Sequence, residues 1–294
     1  MAKFASAGKQ SASVMKEMQG HIIPSVGTVR NYEQALTSVA QYVKESRDIG
    51  DLRQLTPNQA HIYLEQRSEM VGQKTLDMER QAIQAMMLNV TGKLNPNEHL
   101  NVIKSDHQQI LKSRAYSIEQ VNAVANHQTE KHALATAIAH ASGLRAHELH
   151  SIRTITERSP NERPANDYKF SGREGERYTV HGKGGLVREV CIPKDLADRL
   201  ETRRLENPVQ VTDRNVNYIQ TYDIGAGQRW SNSFSSASNR ANGWSEGAHG
   251  VRHSYAQERM NELQTQGLAR ELALETVSQE MGHFRPEITE TYLR

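Results

Sequence analysis

The sequence predicts a mainly α-helical protein with one small β-sheet. Long stretches of the chain carry apolar residues every three or four positions, which is the spacing of an amphipathic helix. Residues 177–193 instead combine strand-forming side chains with a glycine-rich turn, and this pattern predicts a β-hairpin. The length of 294 residues suffices for two domains of ordinary size. We therefore expect a helical N-terminal domain and a mostly helical C-terminal domain that carries the hairpin.

Composition excludes several classes of protein. Mean hydropathy is −0.72, and no apolar run reaches the length of a membrane-spanning helix. The first 20 residues lack the continuous apolar segment of a signal peptide. The sequence contains a single cysteine, Cys191, so no internal disulfide and no cysteine-based metal cluster can form. We expect a cytoplasmic protein. The net charge of +2 means that any binding to nucleic acid has to come from a local surface.

The first part of the chain predicts short amphipathic helices. The clearest helix start is at Thr56 and Pro57, which suit the N-cap and the first helical position. A polar, basic stretch of weak periodicity follows the last of these helices, and we interpret it as a connection between domains. The predicted organisation is a flexible start, a helical domain, an inter-domain linker and a second domain, over residues 1–25, 26–91, 92–114 and 115–294.

The second domain begins with a helix that Ser117 can cap. An alanine-dense helix follows, and it should break at Ser142 and Gly143. The predicted hairpin places Lys183 near its tip. The serine- and asparagine-rich residues 230–244 fit either a loop or a weak helix, and two further helices complete the chain.

A cluster of histidine and arginine near residue 250 carries the first chemical signal. His249 and His253 are four residues apart, so both could bind one metal ion, but the glutamate of the helical zinc motif is replaced by Gly250. Alternatively, these residues form an ordinary solvated helix face. In a third interpretation, His249 and Arg252 bind a phosphate at a helix N-terminus. The cluster alone leaves the three open.

Other segments supply the partners that a phosphate site requires. Arg145 follows a helix break, with Glu148 one turn later, and Lys183 lies on the hairpin tip. His283 follows a glycine, and Tyr292 comes nine positions after it. Each of these residues alone is more often a solvated surface residue than a functional one.

In this order and spacing the residues resemble the catalytic domain of the tyrosine recombinase, or integrase, family. The family pattern is an arginine, a hairpin lysine, His-x-x-Arg, Gly-His and a tyrosine nine residues beyond that histidine. The likeness covers roughly residues 115–294, and residues 26–90 resemble, less specifically, the helical SAM-like core-binding domain of the family. It implies a C-shaped clamp around DNA. The pattern falls on Arg145, Lys183, His249, Arg252, His283 and Tyr292.

The resemblance implies a role for each of these side chains. Tyr292 would attack a DNA phosphodiester and form a 3′-phosphotyrosyl bond, while Arg145 and Arg252 bind the charged phosphate oxygens. Lys183 would protonate the leaving 5′ oxygen. His249 would help to take or position the tyrosine proton. His283 would form a hydrogen bond to a non-bridging oxygen of the phosphate.

The resemblance also implies the partners of the protein. These are double-stranded DNA with a specific recombination site, a homo-tetramer that exchanges strands through a Holliday junction, and accessory proteins that set direction. No metal, ATP or other cofactor is implied, and we expect a prokaryotic cytoplasm with association to the nucleoid. Two residues follow Tyr292, where relatives often carry a further helix.

Three other functions remain open at this point. A type IB topoisomerase-like enzyme would use the same chemistry to relax DNA. A catalytically silent DNA-binding regulator would keep the fold without the chemistry. A histidine-based metallohydrolase would use the His249 and His253 pair as ligands.

Overall fold

The structure, a computed structural model, describes residues 5–23, 26–46, 49–108 and 112–294, apart from the side chain of Lys183. The chain divides into two compact units, residues 1–110 and 111–294. Among the described helices, none is long and apolar enough to cross a membrane. Each unit has a buried apolar core of its own.

The first unit is a small helical bundle. Local sequence fixes where its third helix begins, because Thr56 and Gln59 form a reciprocal capping box and Pro57 occupies the first helical position. This confirms the predicted helix start. The apolar faces of the helices meet in one core that includes Leu36, Val39 and other fully buried side chains. The helices are α1 (Ala7–Met18), α2 (Val26–Glu45), α3 (Pro57–Ser68) and α4 (Gln73–Met86).

The expectation of a flexible start was wrong for most of residues 1–25. Helix α1 begins after Ser6, and its Val14 and Met18 are completely buried in the core of the first unit. The side chain of Gln10 also accepts a hydrogen bond from the backbone of Leu52 at 2.8 Å. The apolar stripe of α1 is short and diluted by serine, lysine and glutamine, so its periodicity is weak. Residues 1–4 and 24–25 lie outside the described residues.

The predicted linker, residues 92–114, was too long. Leu94 and Leu100 are buried in the core of the first unit, and the backbone nitrogen of Ser105 donates to Gln73 at 2.8 Å. This segment therefore packs as part of the helical unit, although it has no helical or strand pattern of its own. The polar side chains that suggested a linker form its exposed surface. Residues 109–111 lie outside the described residues.

The second unit is mostly helical. Ser117 and Gln120 form a capping box at its first helix, and the alanine-rich helix ends at Gly143, whose φ of +59° suits a residue without Cβ. Both features confirm the predicted boundaries. The serine- and asparagine-rich segment forms a helix instead of a loop. The helices are α5 (Ile118–Asn126), α6 (Glu130–Ser142), α7 (Lys194–Glu201), α8 (Gly227–Asn242), α9 (Gly250–Thr265), α10 (Arg270–Met281) and α11 (Pro286–Glu290).

Two small antiparallel sheets accompany these helices. The predicted hairpin is present, and Lys183 lies in the turn between its strands, while a further strand pairs with its first strand. A second, two-stranded ribbon was not predicted, because its strands are mostly exposed and lack the apolar alternation of a half-buried strand. The strands are β1 (Arg153–Thr154), β2 (Glu176–His181), β3 (Val187–Ile192), β4 (Arg204–Asp213) and β5 (Val216–Tyr222).

The packing of α1 predicts that Met18→Ala destabilises the protein. Removing a fully buried methionine side chain costs about 2–5 kcal/mol of unfolding free energy through lost burial and the cavity that remains. Urea denaturation followed by far-ultraviolet circular dichroism measures the change. Lys9→Ala, on the exposed face of the same helix, is the matched control and should change little. Equal stability of the two variants would contradict the packing of α1.

Candidate active site

The start of α9 brings His249 and Arg252 to the centre of the second unit. Gly250 permits this position, because a Cβ there would lie 2.4 Å from the carbonyl oxygen of Arg114 and 2.4 Å from the ring of Tyr116. The backbone of α9 is therefore pressed against the segment before α5. One turn into the helix, the guanidinium of Arg252 is completely buried, while His249 remains exposed.

Arg252 is held by the ends of two other helices. It donates to the carbonyl of Gly143, where α6 ends, and to the carbonyl of Met281, where α10 ends, at 2.6 Å. Its Nη2 also lies 3.0 Å from Nε2 of His283. The Nε of Arg252 is buried and has no hydrogen-bond partner among the described residues. The side chain is thus fixed in place and still has an unused donor.

His283 is oriented from both sides of its ring. Its Nδ1 lies 2.9 Å from the hydroxyl of Thr289, which is fully buried in α11. Because Arg252 can only donate, Nε2 of His283 accepts from it, and the proton of the neutral ring is then on Nδ1 and directed at Thr289. This hydrogen-bond assignment follows from the donor and acceptor chemistry of the two partners.

Tyr292 lies against this group of cations and imidazoles. Its ring centroid is 4.6 Å from that of His253, 5.1 Å from that of His283 and 5.6 Å from that of His249. The guanidinium of Arg252 lies 5.6 Å from the tyrosine ring. Tyr292 also packs into the small apolar core between α9 and α10, which leaves it 9% exposed. The tyrosine is therefore both buried and surrounded by potential proton acceptors.

Arg145 enters the site through a buried carboxylate. Glu148 accepts from the backbone nitrogen of Arg145 at 2.8 Å and from its guanidinium at 2.7 Å. The same carboxylate binds Arg188 at 2.7 Å, and Arg188 also donates to the carbonyl of Gly143. Glu148 and Arg188 are buried, whereas Arg145 keeps an exposed edge. Glu148 is thus a positioning residue for Arg145.

The charges of the site are unbalanced in favour of cations. Burial alone would raise the pKa of Glu148, but the guanidiniums of Arg188, Arg252 and Arg145 outweigh it and hold that pKa well below its usual range. Burial and the charge of Arg145 lower the pKa of Arg252 to about 9, so it stays protonated at neutral pH. Three guanidiniums therefore face one carboxylate, an arrangement that attracts an anion.

The histidines of the site are neutral at physiological pH. Burial and the charge of Arg252 lower the pKa of His283 to about 2. Burial and the charge of Arg114 lower the pKa of His253 to about 4, and the pKa of His249 is lowered by desolvation and by Arg252. Neutral imidazoles can accept a proton.

The structure places the remaining predicted residue, Lys183, in the turn between β2 and β3. Its side chain lies outside the described part of the structure. The neighbouring Gly182 is close to the site, because a Cβ on Gly182 would lie 3.6 Å from Oε1 of Glu148. The hairpin thus carries the lysine backbone to the side of the site where Arg145 and Glu148 lie.

This architecture matches solved integrases and recombinases. A lambda integrase dimer bound to a COC′ core site is 13% identical, with a TM-score of 0.61 over 97% of this chain and 76% of that chain. The Tn1549 transposon integrase in complex with transposon right end DNA is 14% identical, with a TM-score of 0.56 over 99% and 95%. The site-specific recombinase XerH bound to its difH substrate is 15% identical, with a TM-score of 0.55 over 98% and 91%.

The chain has the tyrosine-recombinase fold. This confirms the predicted fold class, which was mainly helical with a small sheet. No protein-family profile matches the sequence. No curated protein sequence matches it either. At this level of identity the likeness is one of backbone architecture.

Two residues of the candidate site were missed at the sequence level. Arg188 carried a usable signal, because it lies on the same face of β3 as Val190 and Ile192, and a charged residue on an apolar face needs a buried partner. Thr289 carried none, since its contact with His283 depends on how α11 folds back. His249 and His253 lack a third side chain with which to bind a metal ion. Among the described residues, no three histidine, cysteine, aspartate or glutamate side chains are grouped so that they could hold one.

The position of Glu148 predicts a pH-dependent loss of stability in Glu148→Gln. Removing one partner of a buried ion pair costs about 3–5 kcal/mol, because the guanidiniums remain buried without their counter-charge. The pKa of Glu148 is lower in the folded state, so its contribution is present above about pH 4.3 and is lost as the pH falls below that value. Urea denaturation over a pH series measures this difference.

Glu206→Gln is the control for this series, because Glu206 is exposed. Its unfolding free energy should equal that of the original protein throughout the series. The unfolding free energies of Glu148→Gln and the original protein should approach each other as the pH falls. A difference between them that stays constant down to about pH 3 would contradict the buried, ionised state of Glu148.

Proposed function

We propose that this protein is a site-specific tyrosine recombinase that cleaves and rejoins DNA through a phosphotyrosyl bond at Tyr292. The observation that carries the proposal is the position of the Tyr292 ring beside the buried guanidinium of Arg252 and three neutral imidazoles. The solved structures of similar fold include integrases and a recombinase in complex with DNA. A phosphodiester is the anion that this combination of groups would bind and cleave.

The cations of the site suit a phosphodiester. Arg252 has an unused buried donor at Nε, and Arg145 keeps an exposed edge next to it. A guanidinium can donate to two phosphate oxygens at once, and its charge does not depend on pH in the physiological range. In the transition state, negative charge accumulates on the non-bridging oxygens, and fixed cations in a partly dry site stabilise it without rearrangement.

The proposed cleavage step exchanges one phosphoester bond for another. Tyr292 Oη bonds to phosphorus, its proton passes to a neighbouring imidazole, and the bond between phosphorus and the 5′ oxygen breaks. Lys183 donates a proton to that 5′ oxygen, which leaves as a hydroxyl. His249 is the exposed imidazole beside the tyrosine and is the proposed acceptor or positioning group. The products are a 3′-phosphotyrosyl bond and a free 5′-hydroxyl.

The arrival of DNA changes the proton affinity of these histidines. Without DNA, burial and the neighbouring guanidiniums together lower the pKa of His249 and His283. A bound phosphate carries a negative charge that offsets those cations, so both pKa values rise in the complex. Once protonated on Nε2, His283 no longer accepts from Arg252 and can instead donate to a non-bridging oxygen.

Rejoining follows from the covalent intermediate. The phosphotyrosyl bond conserves the energy of the broken phosphodiester, so attack by the 5′-hydroxyl of another strand reseals DNA without ATP. We infer exchange between two DNA sites through a Holliday junction in a homo-tetramer, within a prokaryotic cytoplasm. All six positions of the family pattern hold the expected residue, which favours a recombinase over a silent DNA-binding regulator. Recombination between two cognate sites, rather than relaxation of any supercoiled plasmid, distinguishes it from a topoisomerase.

The nucleophile assignment predicts a covalent protein–DNA adduct that depends on Tyr292. A pool of nicked duplexes of randomised sequence traps the intermediate, because the short cleaved strand diffuses away and cannot religate. A denaturing gel should show an adduct for the original protein, with or without EDTA, and none for Tyr292→Phe.

Tyr168→Phe is the matched control, since Tyr168 is exposed and does not contact the site, and it should form the adduct normally. An adduct that persists in Tyr292→Phe would show that another residue is the nucleophile.

The general-acid role predicts a leaving-group effect in Lys183→Ala. Loss of a general acid slows cleavage about 10²–10⁴-fold. Replacing the bridging 5′ oxygen with sulfur removes the need for a proton, because a thiolate leaves readily. Single-turnover cleavage of the sulfur substrate by Lys183→Ala should therefore approach the rate of the original protein. If sulfur fails to restore the rate, Lys183 has a role other than proton donation.

A further inference from the structure

The ribbon of β4 and β5 has no part in the proposed chemistry, and its tip is strained. Arg214 and Asn215 form the two-residue turn, with φ values of +48° and +62°. Both values are positive, as in the type I′ turn that two-residue hairpins favour. Asparagine adopts this conformation readily, whereas the Cβ of an arginine disfavours it. An arginine at this position therefore calls for a reason beyond the turn itself.

Hydrogen bonds fix the tip next to the segment that carries Arg145. The Asp213 carboxylate accepts from the backbone nitrogen of Gln228 at 3.0 Å. The preceding residue, Gly227, donates its backbone hydrogen to the carbonyl of Ala146 at 2.8 Å. The contact is close, because a Cβ on Gly227 would lie 2.6 Å from Oδ2 of Asp213. The ribbon tip, the start of α8 and the backbone beside Arg145 are thus tied together.

Arg214 carries a positive charge that is only partly paired. Its Nε donates to Asp213 at 3.2 Å, and within the described residues its two terminal nitrogens have no hydrogen-bond partner. The side chain is 47% exposed. His147 follows Ala146. Burial lowers its pKa, Glu148 raises it, and the charges of Arg145, Arg214 and Arg252 lower it further. The ribbon tip that carries Arg214 is thus tied to the backbone beside Arg145, and the terminal nitrogens of Arg214 are available to a ligand.

We propose that Arg214 is a DNA phosphate-binding residue that extends the cationic surface of the active site to a neighbouring phosphate. A guanidinium with two unused terminal nitrogens suits the paired oxygens of a phosphodiester. Contacts of this kind position a protein on DNA without reading its sequence. The proposal rests on the function proposed above, and it gives the strained arginine and the tethered ribbon a common purpose.

Binding to a fluorescent duplex of mixed sequence, measured over a salt series, tests this role. In Arg214→Asn the turn keeps a residue that favours it, and one phosphate contact is lost. We expect about five- to tenfold weaker binding at about 0.1 M salt, and a slope of log K against log salt that is smaller by about 1. The melting temperature should be unchanged or higher, because the backbone strain is relieved.

Lys194→Asn is the matched control for loss of one positive charge. Lys194 is exposed at the start of α7, directly after β3. It therefore lies at the end of the hairpin opposite to the turn that holds Lys183, about 20 Å away along the six-residue strands. Its substitution should leave the affinity and the salt slope close to those of the original protein.

Several outcomes would overturn the proposal. Arg214→Asn could bind as tightly as the original protein with the same slope, or no more weakly than Lys194→Asn. A lower melting temperature of Arg214→Asn would show that the arginine serves the fold instead. An original protein that binds the duplex but forms no covalent adduct would refute the catalytic function alone, and one that does not bind DNA would refute both proposals.

Discussion

The carboxylate of Glu148 is completely buried, and it holds the guanidiniums of Arg145 and Arg188 at 2.7 Å each. Burying an ion pair costs desolvation energy that its attraction only partly offsets, so the gain lies in position rather than in stability. Arg188 extends the arrangement to the carbonyl of Gly143, which also accepts from Arg252. One carboxylate therefore binds two cations directly, and the shared carbonyl of Gly143 connects Arg252 to them.

A second buried carboxylate, Glu280, does the same for the end of α10. It binds Arg259 at 3.0 Å and accepts from the hydroxyl of Tyr255 at 2.7 Å, which holds α10 against α9. Its own backbone carbonyl accepts from Arg188 at 2.7 Å. Arg188 therefore joins the carboxylate of Glu148 to the backbone of Glu280, and the position of His283 just after α10 follows from this packing. The geometry of the site depends on charges that would not themselves touch a phosphate.

Burial and the excess of cations together explain why the three histidines of the site are neutral. Each imidazole lies near at least one guanidinium, and a second positive charge there is unfavourable. A neutral ring beside Tyr292 accepts a proton, and a phosphate held by Arg252 would help the ring to keep it. The proposed anion thus supplies a negative charge among these cations. Binding of the DNA backbone would therefore favour transfer of the Tyr292 proton to an imidazole, which the proposed cleavage requires.

The sequence by itself determined the local features. The caps at Thr56 and Ser117, the helix end at Gly143 and the hairpin turn depend on neighbouring residues, and so their positions could be predicted. The spacing of the family pattern also identified the predicted site residues. Tertiary structure decided what depends on distant contacts: the folding of residues 7–18 onto the first core, the exposed ribbon, and the burial of Arg188 against Glu148. These features depend on pairing between residues far apart in the chain: a local pattern can show that Arg188 needs a buried partner, but it does not identify that partner.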